Sequence, residues 1–158
     1  MIIETRKTIL AGPVPLVQLH GAGCLWVLER MYGSVIVTPG VAAALAGMRA
    51  GGMYAPDPAV FPWMRLAGPA AAVYTDDALF AAAAEIDGAL VLVEPRHARR
   101  AAEARGLRAT GTLGVLLMAK DSGLVASVAE FLPLLAESGL VLTPKARLTA
   151  LLLARESL

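Results

Sequence analysis

Glu94 stands where an apolar run, Ala-Leu-Val-Leu-Val at 89–93, gives way to Pro95 and then to Arg96, His97, Arg99 and Arg100. A carboxylate at such a boundary is placed to hold a divalent cation or to take up a proton. The arginines beyond it can neutralise phosphate. Asp76 and Asp77, between Thr75 and an alanine-rich stretch, are a second set of oxygen donors at a helix start. A divalent cation held by carboxylates takes oxygen ligands and keeps several waters.

Each of these residues also has a plainer reading. Aspartates at a helix start cap it and favour its dipole. Glu94 can pair with Arg96 or Arg99, or sit in a solvated turn, and an arginine-rich helix face is commonly just solvated. His97 has no orienting partner in the sequence and reads as a surface histidine. His20 lies in an apolar stretch and reads as buried or capped. Cys24 is the sole cysteine, so no intramolecular disulfide exists, and with no base beside it the thiol reads as a small core residue. Gly111-Thr112-Leu113-Gly114 lacks the lysine and spacing of a phosphate loop. Thr112 reads there as a helix cap, although a helix start can still receive phosphate. Trp26, Met31 and Tyr32 read as core or a dimer face.

These residues must be positioned by short apolar strands alternating with helices. The strands are expected at 8–11, 35–37, 63–66, 89–93, 107–110 and 140–142. Thr75 or Asp76 caps a helix over 77–86. Pro95 takes the first position of a helix that Gly106 ends. Ser127 and Glu130 form a capping box for a helix closing near Gly139. Thr143-Pro144 starts a last helix over 145–156. Strands without polar alternation, separated by helices, mean a mostly parallel sheet covered on both faces. Residues 51–62, rich in glycine and proline, read as a loop, so the whole of 1–158 is expected to be one domain.

Of the 158 residues, 57% are hydrophobic and 17% charged, with a net charge of +1. That balance excludes a bulk pull toward nucleic acid or an anionic membrane, leaving only local patches. The uncharged stretch 10–28 is broken by Pro13, Pro15, Gln18, His20 and glycines, unlike a lipid-exposed span or a signal peptide. A cytoplasmic, non-membrane protein is expected. So apolar a chain packs tightly or covers surface with a partner, and the alanine-rich stretches 42–46 and 78–84 are candidate faces for one.

Three blocks carry a family resemblance: PLVQLHGAGCLWVLERMYGSVIVTPGV from Pro15, VEPRHARRAAEARGLRATGTLGVLLMAK from Val93 and SGLVLTPKARLTALLLARE from Ser138. In their order and spacing the chain resembles PIN-domain proteins, in particular the bacterial subfamily of predicted nucleic-acid-binding PIN proteins. The resemblance implies a three-layer α/β/α sandwich with a mostly parallel sheet. It also implies a metal-dependent ribonuclease, often the toxin of a toxin–antitoxin pair, with three or four carboxylates at the strand ends.

Matched position by position, half of that acidic set is missing. The end of the first strand reads Ala11-Gly12-Pro13-Val14, and the helix after the second strand offers Val41-Ala42-Ala43-Ala44-Leu45. Asp76 and Asp77 keep the third position and Glu94 the fourth. The expectation is therefore a degenerate PIN-like domain without catalysis, acting as a binding or assembly module. It would work as a homo-oligomer or with a small antitoxin-type protein, and would need no cofactor. The alternatives are a Mg²⁺- or Mn²⁺-dependent ribonuclease with Asp76, Asp77 and Glu94 as catalytic and metal-binding residues, and a non-catalytic RNA binder using Arg96, Arg99 and Arg100. Distant acids such as Glu4 or Asp57 are the remaining candidates to complete a metal site.

Overall fold

A computed structural model describes residues 8–157. Five short strands form one parallel sheet: β1 (Ile9–Ala11), β2 (Val35–Val37), β3 (Met64–Leu66), β4 (Leu90–Leu92) and β5 (Arg108–Thr110), in the order β3-β2-β1-β4-β5. Leu10 pairs with Ile36 on one side and Val91 on the other, and Ala109 pairs with Val91 across the next gap. The inner strands are apolar at every position because helices cover both faces of a parallel sheet. Charge enters only on the edge strands, as Arg65 and Arg108, where solvent reaches one side.

The helices are α1 (Pro13–Gly21), α2 (Trp26–Tyr32), α3 (Pro39–Ala50), α4 (Asp76–Ala84), α5 (Arg96–Ala104), α6 (Thr112–Asp121), α7 (Leu132–Glu137) and α8 (Pro144–Leu153). The expected α/β sandwich is the observed fold. Leu16, Leu19, Leu28, Leu45, Phe80 and Leu116 belong to one continuous core cluster that draws on both helical layers and the sheet. Among the described residues, no helix is long and apolar enough to cross a membrane.

Side-chain caps account for three of the eight helix starts among the described residues. Thr38, Thr75 and Thr143 each accept a hydrogen bond from the backbone N–H three residues on, at 3.3, 3.1 and 3.0 Å, and so cap α3, α4 and α8. Gly106, with φ of +79°, closes α5 in a conformation that a side chain would strain.

Four expectations need correction. Residues 140–142 form no strand; they are an unpaired connector between α7 and α8. Pro95 is the N-cap of α5 rather than its first residue. Ser127 does accept the Glu130 N–H, but only a 3-10 turn (Ala129–Phe131) follows. The helix proper begins at Leu132, where Pro133 suits a first turn because its missing N–H is not needed there. Thr112 is not a cap; Gly111 holds that position and has no side chain to offer.

Candidate functional site

The strand order reverses between β1 and β4, since β2 and β3 lie beyond one and β5 beyond the other. In open α/β sheets the crevice at the carboxyl ends of such neighbouring strands receives ligands. Here Gly12 follows β1 and Glu94 lies just beyond β4, and the Gly12 N–H donates to the Leu92 carbonyl at 2.8 Å. A cleft of about 760 Å³ opens beside Glu94, toward β5. Gln18 of α1, Arg96 and Arg99 of α5, and Leu140 and Val141 of the α7–α8 connector also line it.

Both oxygens of Glu94 are engaged. Oε1 accepts from Arg99 Nη1 at 2.7 Å, and Oε2 accepts the Thr112 backbone N–H at 2.7 Å. The carboxylate thus serves the first turn of α6 in place of the missing cap side chain, favoured by that helix's dipole. Only 9% of the Glu94 side chain is exposed, so both bonds act in a largely desolvated setting. Arg99 also reaches the Val93 carbonyl at 3.2 Å. Gly111 leaves the room this arrangement uses: a Cβ there would run into Glu94 Oε2 and Arg99 Nη1, and both side-chain ends would have to move. Behind it the Thr112 hydroxyl donates to Gln18 Oε1 at 2.6 Å, joining α1 to α6. The Glu94–Pro95 peptide bond is cis.

Asp76 and Asp77 do not line this cleft. The Tyr74 hydroxyl donates to Asp76 Oδ1 at 2.5 Å. It also fills the space beside Gly12, where a Cβ would meet it at 3.3 Å. Burial first, then the hydrogen bond to Asp76 and its negative charge, pushes the Tyr74 phenol well above its ordinary pKa. The phenol therefore stays a neutral donor. Asp77, 82% exposed, pairs with Arg105 at 2.6 Å, and that guanidinium lies over the Phe80 ring. A pair so exposed contributes little to stability.

Of the basic cluster, Arg99 is half-buried against Glu94, whereas Arg96 and Arg100 are exposed beside His97. His20, expected to be buried or capped, is partly exposed and stacks on Tyr54 with ring centroids 4.2 Å apart. It lies at the far end of α1, away from the strand ends that carry the cleft. Asp57 caps a short turn through the Ala59 N–H at 3.0 Å and is also within 3.9 Å of Arg49, so it does not join Glu94. Glu4 lies outside the described residues.

Tyr74 and Gln18 matter here but drew no functional reading from the sequence, and Gly111 was weighed only against a phosphate loop. Gln18 carried a usable signal as a lone amide between leucine and valine neighbours, which implies a specific buried partner. The donor set does not suit a divalent cation. Among the described residues, no group of three or more histidine, cysteine, aspartate or glutamate side chains is arranged to hold one.

The family DUF3368, described as a PIN domain, matches residues 74–156, just over half of the chain. That span contains Asp76, Asp77, Glu94 and the arginines of α5, but not Gly12 or α3. No curated protein matches the chain.

Proposed function

The chain belongs to the PIN-domain family, and from that premise we propose that it is a PIN domain without nuclease activity, serving as a binding or assembly module. The observation that carries this reading is the state of Glu94. Its two oxygens are held by Arg99 and by the start of α6, so each keeps only part of its acceptor capacity for a cation, and the guanidinium at hydrogen-bond distance repels a second positive charge. Nothing nearby compensates. Gly12 and the alanines of α3 supply no side-chain oxygen, Asp76 is tied to Tyr74, and Asp77 turns to Arg105. Mg²⁺ and Mn²⁺ are reluctant to give up water for a single carboxylate. The retained structural role of Glu94 gives the chain a reason to keep this residue without catalysis.

RNA binding without cleavage is the second reading. It is favoured by the exposed Arg96 and Arg100 at the same sheet edge as the cleft, and it predicts salt-dependent affinity with no metal requirement. Titration calorimetry with Mn²⁺, on the native chain and on Glu94→Ala, tests the main proposal. The expected result is no saturable heat at millimolar metal for either protein. A saturable site in the native chain that Glu94→Ala abolishes would restore the ribonuclease reading.

A further inference from the structure

A second cavity, about 530 Å³, lies away from the Glu94 cleft, along the edge strand β5 and between the ends of α2 and α6. Its rim carries two arginines, Arg30 of α2 and Arg108 of β5, both exposed. Neither makes an ion pair or a side-chain hydrogen bond among the described residues, and no carboxylate lines the groove. The apolar part of the lining includes Leu90, Leu124 and Met118, the last 55% exposed. Methionine is the apolar side chain best able to adapt to varied partners.

The backbone adds a directional feature. Among the described residues β5 ends the strand order, so one side of it pairs with no strand. The Thr110 carbonyl accepts the Val93 N–H at 3.0 Å, so Thr110 turns toward β4. Alternation along a strand then turns the N–H and C=O of Ala109 to the open side. A free donor and acceptor beside an apolar floor and two unpaired cations is the setting for strand addition.

We propose that this groove docks an extended, acidic segment of a protein partner, which lengthens the sheet beyond β5 and places its carboxylates against Arg30 and Arg108. A second copy of this chain is the poorer occupant. Pairing β5 with β5 about a two-fold axis brings Arg108 toward its own symmetry mate, and like charges across a strand pair repel. The inference rests on the reading of the domain as a binding module, but uses neither Glu94 nor the residues hydrogen-bonded to it. Failure of one test therefore leaves the other standing.

The test is fluorescence anisotropy with a labelled peptide of alternating glutamate and valine, titrated with the full chain. Saturable binding is expected, weakened on the order of tenfold or more by the double charge reversal Arg30→Glu/Arg108→Glu. Both side chains are exposed, and circular dichroism of the variant checks its fold; the single changes to alanine give intermediate affinities. Two further peptides, N-methylated on alternate residues in opposite phase, read the backbone pairing. One must lose binding and the other keep it. The proposal is overturned by an absence of saturable binding, by affinity indifferent to the two arginines, or by equal behaviour of the two methylated peptides. It is equally overturned if a uridine oligonucleotide takes the arginines while the peptide does not, or if the chain forms a dimer that Arg108→Glu dissociates.

Discussion

Glu156 shows at the scale of one residue how this protein uses a carboxylate. It lies just beyond α8, after Arg155 has turned the chain with φ of +59°, and it accepts four hydrogen bonds. These come from Lys120 Nζ at 2.8 Å, Ser127 Oγ at 3.0 Å and the N–H groups of Val128 and Ala129 at 2.6 and 2.9 Å. Burial opposes ionisation, but those donors outweigh it and hold the carboxyl at about 2, below its ordinary 4.5. The folded pKa is the lower one, so the unfolded chain takes up the proton first as pH falls. The stabilisation is complete above about 4.5 and drains away toward 2. Glu156→Ala leaves two backbone donors without their acceptor and should cost about 1–3 kcal/mol near pH 7. Urea midpoints for the two proteins should converge as the pH is lowered through that window; a constant gap would refute the assignment. Glu94 works by the same principle at the start of α6, which is why its carboxylate reads as structural.

At the scale of elements, two helices open with the same pair, Thr38-Pro39 for α3 and Thr143-Pro144 for α8. The threonine satisfies a free N–H and the proline pre-sets the first helical φ, so both starts follow from a few adjacent residues. Thr143→Ala should cost about 1 kcal/mol in chemical denaturation, and Thr143→Ser, which keeps the hydroxyl, should restore most of it. Equal losses in the two variants would mean that packing of the threonine methyl, not capping, is what matters. The same kind of local reading failed at residues 140–142. A short apolar run has the composition of a buried strand, and periodicity cannot separate the two. Pairing needs a free strand alongside, and this segment instead crosses from α7 to α8 along the rim of the Glu94 cleft.

For the molecule as a whole, the continuous core couples distant segments. Leu116 of α6 is fully buried within it. Leu116→Ala should cost 2–5 kcal/mol, the range of such truncations where neighbours relax only in part. Because one cluster joins both helical layers to the sheet, the loss should appear as an earlier but still single unfolding transition by circular dichroism. Two separated transitions would divide the chain into independent units. The high apolar content does not all go into this core. Leu148, Leu152 and Leu153 of α8 and Val141 before it remain exposed.

What the sequence by itself determined was the part set by neighbours along the chain. Apolar runs without alternation marked the parallel strands, threonine and proline marked helix starts, and the blocks from Val93 and Ser138, both within the matched span, carried the family. Only the tertiary structure decided what Asp76, Asp77 and Glu94 bind. The bonds from Thr112 to Glu94 and Gln18, and from Arg105 to Asp77, join residues far apart in the chain. Those of Thr112 exist because the sheet order sets β1, β4 and β5 side by side. A hydrogen bond acts over about 3 Å, and no pattern in a linear sequence states which distant donors the fold will bring within that reach.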